Sequence, residues 1–83
     1  MHESSLITNM LKVVEQVKQD QGGKDVVGIT VELPKFGSLD EDHFRFHFKE
    51  ATKDTPWQGL KLEIKKVPLG VDAKLTHVTF REK

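Results

Sequence analysis

Hydrophobic residues in the first part of the chain recur with the spacing of a helix. Between residues 5 and 21 the main apolar positions are Leu6, Met10, Val13 and Val17, with Ile7, Leu11 and Val14 beside them. This period is typical of an amphipathic helix with one buried side. Gly22 and Gly23 follow, and glycine readily adopts the left-handed conformation that ends helices. The pattern predicts a first helix over residues 5–21.

The next segment, KDVVGITVEL, changes to a period of two. Its larger apolar side chains alternate with small or polar ones, so that one side of an extended chain carries Val27, Ile29, Val31 and Leu33. Strict alternation of this kind indicates a half-buried strand. Pro34 comes next and ends the strand, because proline has no N–H to donate to a neighbouring strand.

The segment GSLDEDHFRFHFKEAT carries two conflicting signals. Its centre, HFRFHF, alternates phenylalanine with polar residues, as a strand would. Its start favours a helix, since Ser38 followed by Glu41 has the spacing of a capping box and the flanking aspartates suit the positive end of a helix dipole. Phe44 and Phe48 would then lie one turn apart on the same side. We interpret the segment as a second helix that begins with a Ser38 capping box.

Two further alternating segments complete the chain. LKLEIKKV and AKLTHVTFRE each predict a strand, which makes the order helix, strand, helix, strand, strand. This order predicts a single α+β domain over residues 1–83, with two helices packed on one face of a three-stranded sheet. Only about five residues join the last two strands, residues 59–67 and 73–81, and a connection this short favours an antiparallel hairpin between them.

Composition narrows the classes of function. Thirteen Lys and Arg residues balance thirteen Asp and Glu residues, which argues against a dedicated nucleic-acid-binding protein with its basic surface. The chain has no cysteine, which excludes disulfides, cysteine-based zinc sites and thiol nucleophiles. No apolar run approaches the roughly 18 residues that span a bilayer, and no signal segment is visible. We therefore expect a cytoplasmic protein that binds neither nucleic acid nor membranes.

Catalytic motifs are also missing from the sequence. No serine is flanked by the glycines of a nucleophile elbow, and no glycine-rich loop is suited to a phosphate group. Carboxylates stand next to His43 in the sequence, but neighbours in sequence do not by themselves make an active site. We therefore expect that the protein is not an enzyme.

Several distinctive segments occur in a fixed order over residues 1–68. They are the opening Met-His-Glu, the segment FGSLDEDHFRFHF, and a T–P–x–x–G turn followed by LKLEIKKVP. In this order they resemble the nickel-binding domain of the HypA/HybF family, accessory proteins that incorporate nickel during hydrogenase maturation. The resemblance implies a small nickel metallochaperone whose partners are a metalloenzyme client or another maturation protein.

The chain departs from the family after its fourth element. Family members carry a zinc domain with two Cys-x-x-Cys pairs after the strand that ends in Val-Pro. Here Val67 and Pro68 lead through the short segment LGVD into the last strand. We therefore expect that the zinc domain is missing and that the protein binds no zinc.

The first three residues offer a chelating set for a metal ion. The α-amine of Met1, the backbone nitrogen of His2 and the His2 imidazole can all reach one ion, and planar nitrogen coordination suits Ni(II) or Cu(II). The resemblance implies nickel at this terminus and adds the backbone nitrogen of Glu3. The predicted metal site is therefore Met1, His2 and Glu3. The alternative is a frayed, solvated terminus, in which case the protein is a metal-free interaction module that keeps the family scaffold.

Two of the other histidines and the single tryptophan each have two interpretations. His43 and His47 are four positions apart, so that on a helix they share a side and can form a second metal site. The plainer interpretation places both at the edge of the contact between helix and sheet. His77 is expected on the exposed side of the last strand. Trp57 either anchors a partner interface or covers one end of the core.

Overall fold

The computed structural model describes residues 3–36, 40–70 and 73–81. Within them the chain forms α1 (Glu3–Asp20), β1 (Val26–Pro34), α2 (Glu41–Thr52), β2 (Lys61–Val67) and β3 (Lys74–Phe80). The predicted α+β class and the predicted order of elements are both confirmed. Neither α1 nor α2 is sufficiently long and apolar to cross a bilayer.

Helix α1 packs against the rest of the protein through one apolar side. Ile7, Met10 and Val14 are buried on this side, whereas Val13 is 51% exposed although the sequence pattern placed it among the main apolar positions. The helix ends as predicted at the two glycines, where Gly23 has a φ of 81° and its N–H donates to the carbonyl of Lys18. The side that faces the core is therefore set by Ile7, Met10 and Val14.

The segment HFRFHF is helical, as predicted, and lies within α2. Phe44 and Phe48 are both buried, whereas Phe46, two positions from each, is 59% exposed. The alternation of phenylalanines suggests a strand only if all three are assumed to be buried. On a helix, residues two apart point in different directions, so that only the pair four apart reaches the core.

The residue that caps the start of α2 differs from the predicted one. Asp40 is the N-cap, and its carboxylate accepts hydrogen bonds from the backbone N–H groups of Asp42 and His43. Ser38 lies outside the described residues, and Glu41 is the first residue of the helix instead of the third residue of a capping box. The Ser38 capping box is therefore wrong, because an aspartate closer to the apolar run already accepts from the unpaired N–H groups of the first turn.

The three strands form one mixed sheet in the order β2-β1-β3. β1 pairs in parallel with β2 and antiparallel with β3, so the predicted hairpin between β2 and β3 is wrong. The link of residues 68–73 can span about 20 Å, whereas two strand spacings are only about 9.6 Å, so that it can cross the end of β1. Gly70 marks this crossing, since a Cβ atom there would lie 3.6 Å from the ring of Pro34.

The core lies between the sheet and the two helices. β1 contributes Ile29, Val31 and Leu33, which alternate along the strand and are all almost completely buried. They form one cluster with the buried residues of α1 and α2, which places both helices on the same face of the sheet. The central position of β1 agrees with this burial, because its apolar side is more deeply buried than that of either edge strand.

Candidate metal centre

The predicted metal ligands lie at the start of the chain. Met1 and His2 lie outside the described residues, and Glu3 is the first residue of α1. The first backbone N–H groups of a helix have no carbonyl partner within that helix. The backbone nitrogen of Glu3 is therefore not committed to the hydrogen bonds of α1.

The packing of the helices shows which end of the fold carries this terminus. The ammonium nitrogen of Lys18, near the end of α1, lies 5.8 Å from the centre of the Trp57 ring, which belongs to the turn between α2 and β2. The last turns of both helices are therefore at the same end of the sheet. Glu3 consequently lies towards the opposite end, where β1 ends and α2 begins.

The acidic residues at the start of α2 have structural partners. Asp40 caps the helix, and the carboxylate of Glu41 accepts a hydrogen bond from Arg45 at 3.0 Å. Within residues 3–36, 40–70 and 73–81, no group of three or more His, Asp or Glu side chains is arranged to hold a metal ion. Asp40 and Glu41 therefore have structural roles at the start of α2.

The two histidines of α2 occupy different environments. His43 is exposed, whereas His47 is partly buried and its ring meets the edge of Phe46 at a centroid distance of 5.5 Å. The prediction that both lie at the edge of the helix–sheet contact is thus wrong for His43. Since no described acidic side chain joins them in a metal-binding group, the structure gives no support for a second site on α2.

The prediction that His77 is exposed is confirmed, and so is the interpretation in which Trp57 covers one end of the core. His77 is exposed on β3, with its Nδ1 atom 3.1 Å from the hydroxyl of Thr76. Trp57 is partly buried and packs against the hydrophobic cluster, so that it covers the end of the core near Lys18.

Arg45 has a role that the sequence analysis did not identify. One nitrogen of its guanidinium donates to Glu41, and another donates to the main-chain carbonyl of Leu62 in β2 at 3.0 Å. The spacing of four residues between Glu41 and Arg45 is a visible signal for the ion pair. The contact with Leu62 spans 17 residues and has no local signal in the sequence.

Comparison with known proteins gives consistent matches over this fold. A family model described as hydrogenase/urease nickel incorporation, metallochaperone, HypA matches residues 1–82. The hydrogenase maturation factor HypA of Acidithiobacillus ferrooxidans is 35% identical over 68 residues, which cover 82% of this chain and 60% of that protein. HypA of Lawsonia intracellularis is 32% identical over 69 residues, which cover 83% of this chain and 58% of that protein. The chain thus spans about 60% of the length of these relatives.

A solved structure supports the architecture independently of sequence. The solution structure of the nickel metallochaperone HypA from Helicobacter pylori superposes with a TM-score of 0.80 over 100% of both chains, at 11% sequence identity. At this identity the superposition establishes the fold alone. The match of the family model to residues 1–82, together with relatives above 30% identity over four fifths of the chain, shows that this protein belongs to the HypA family.

Proposed function

We propose that this protein is a nickel metallochaperone that binds Ni(II) at Met1, His2 and Glu3 and passes it to a metalloenzyme under maturation, either directly or through a partner maturation protein. The observation that carries the proposal is its membership of the HypA family, together with a Met-His-Glu start that leads directly into α1. Nickel is then the cargo of the protein, and no zinc takes part.

The proposed donor set consists of four nitrogens. They are the α-amine of Met1, the imidazole of His2, and the backbone nitrogens of His2 and Glu3. Two deprotonated backbone nitrogens would balance the charge of Ni(II), so that the complex places no net charge at the positive end of the α1 dipole. Planar nitrogen coordination suits Ni(II).

The start of α1 suits this arrangement in one further respect. A backbone nitrogen can bind a metal only if its proton is not held in a hydrogen bond that the fold requires. Glu3 meets this condition because its N–H has no acceptor within α1. The chain also has no thiol to compete for the ion, since it contains no cysteine.

Titration calorimetry with Ni(II) tests the proposal on three forms of the protein. These are the parent chain with mass spectrometry confirming a free Met1 amine, the variant His2→Ala, and a form extended by one residue ahead of Met1. We expect roughly one-to-one binding of micromolar or weaker affinity in the parent. Binding should be at least about tenfold weaker in both variants, because each loses part of the chelate.

A matched histidine variant and a pH series complete the experiment. His77→Ala removes another exposed imidazole and should bind nickel as the parent does. Parent affinity should rise with pH, because the amine, the backbone nitrogens and the imidazole must all lose protons to bind. If both terminal variants bind as tightly as the parent, the terminus is not the site. If the parent binds no nickel, the proposal fails and a metal-free interaction module remains.

A further inference from the structure

We propose that the groove between α2 and the outer edge of β2, here called the α2–β2 groove, binds an extended acidic segment of a partner protein as an added strand. This inference goes beyond nickel binding, because the groove is built by α2 and β2, whereas the proposed nickel ligands are the first three residues of the chain. It assigns a separate surface and a specific chemistry to recognition of a protein.

The α2–β2 groove combines an apolar floor with a basic rim. Its volume is about 540 Å³, and its floor is formed by the side chains of Phe48, Leu60 and Leu62. Arg45 and Lys49 line the rim along one side of α2, and Lys53, the C-cap of the helix, continues the row. Arg45 is already paired with Glu41, and Glu50 is the one carboxylate among the described lining residues, so two lysines face one anion.

The outer edge of β2 has main-chain groups directed away from the sheet. The carbonyl of Val67 accepts from Lys35 on the β1 side, whereas the carbonyl of Leu62 accepts from Arg45 on the opposite side. Because main-chain groups alternate sides along a strand, those of Ile64 and Lys66 point outward like those of Leu62. Arg45 occupies the outward carbonyl of Leu62, and within the described sheet β2 pairs with β1 alone, so the outward groups of Ile64 and Lys66 are those that a further strand can reach.

The charges along this edge select the kind of strand that can bind. Lys61, Lys65 and Lys66 are exposed on β2 against the single exposed acid Glu63. Lysines on an edge strand oppose pairing with a second copy of the same edge, because the two rows of charge repel each other. Lys61 and Lys65 project from the face opposite α2 and attract the carboxylates of an added strand there. Lys49 and Lys53 add to the positive potential along the groove.

The groove thus matches the known requirements of recognition by strand addition. Main-chain hydrogen bonds supply the affinity, and pockets for alternate side chains supply the specificity. In a segment that alternates acidic and apolar residues, the apolar side chains would lie on the face of the sheet that carries Leu60 and Leu62. The carboxylates would lie on the opposite face, where Lys61 and Lys65 project. The proposed occupant is therefore an extended segment of alternating acidic and apolar residues.

Synthetic peptides test the charge selection. A fluorescent peptide of eight residues that alternates Glu and Val is long enough to run along all of β2, and matched peptides carry Gln or Lys in place of Glu. We expect anisotropy titration to show binding of the Glu peptide, weaker binding of the Gln peptide and none of the Lys peptide. The affinity for the Glu peptide should fall as salt is added.

Two pairs of protein variants locate the site. K61E with K65E reverses two charges on the face where the carboxylates lie, and K12E with K24E makes the same change in net charge at exposed positions away from the groove. The first pair should weaken binding about tenfold or more relative to the second. K66P removes an outward N–H, whereas K66Q removes only the charge, so K66P should bind the Glu peptide more weakly than K66Q.

The outcomes separate the proposal from its alternatives. Circular dichroism and urea unfolding first establish that each variant is folded. Equal binding of the Glu and Gln peptides overturns the acidic specificity. Equal binding by the two charge-reversed pairs overturns the location of the site. Equal binding by K66P and K66Q overturns strand addition. The parent protein could also form a dimer that sedimentation detects and that the K66P substitution abolishes. A second copy would then be the occupant of the groove, and the proposal would be overturned.

Discussion

The ammonium nitrogen of Lys18 lies 5.8 Å from the centre of the Trp57 ring, and this contact joins the end of α1 to the turn between α2 and β2. These two segments are far apart in sequence and meet only because both helices end at the same side of the fold. The contact covers one end of the small core, and it leaves the starts of both helices at the other end.

The first prediction concerns this contact. Trp57→Ala should lower the free energy of unfolding by about 2–3 kcal/mol, somewhat less than for a fully buried tryptophan, because the ring is partly exposed. A double-mutant cycle with Lys18→Met, which keeps an unbranched apolar chain, should give a coupling of about 0.5–1 kcal/mol. Urea unfolding gives the free energy of unfolding of all four proteins. A coupling of zero would show that the ammonium group does not stabilise the ring.

The second prediction distinguishes the buried and exposed phenylalanines of α2. Phe44→Ala should cost about 3–5 kcal/mol of unfolding free energy, because the side chain is fully buried between helix and sheet. Phe46→Ala should change stability by no more than about 0.5 kcal/mol, because that ring is mostly exposed. Urea unfolding of the two variants makes the comparison. Equal losses would contradict the helical placement of HFRFHF.

The third prediction tests the strand order by amide hydrogen exchange. The central strand β1 has hydrogen-bonded neighbours on both sides, so that consecutive amides from Ile29 to Val31 should exchange slowly. In β2 the outward amide of Ile64 should exchange faster than those of Glu63 and Lys65, which face β1. Uninterrupted slow exchange along β2, combined with alternating exchange along β1, would instead indicate a central β2.

Much of the fold could be predicted because the signals are local. The apolar spacing in α1, the two glycines at its end and the alternation in β1 each depend on residues within one or two turns of each other. The interpretation of HFRFHF as a helix also rested on local signals, the acidic residues before it and the spacing of Phe44 and Phe48. The cap was predicted at Ser38 instead of Asp40, because both residues are good caps and only the exact start of the helix distinguishes them.

The candidate metal site was accessible to sequence reasoning for the same reason. Its proposed ligands are consecutive, so that chelation by Met1, His2 and Glu3 depends on bond connectivity and not on folding. The structure adds that Glu3 begins α1, which leaves its backbone nitrogen outside the helical hydrogen bonds. The α2–β2 groove had no such signal, because its rim comes from α2 and its edge from β2.

By itself the sequence determined the type of each element, the side of α2 that is buried and the family resemblance, since all three depend on the kind and spacing of neighbouring residues. Only the tertiary structure decided that β1 lies between β2 and β3 and that Arg45 reaches the carbonyl of Leu62. The physical reason is that a short link limits the distance between two strands but does not determine which strands pair with each other. The strand that buries the most apolar surface against both helices takes the central position in the sheet.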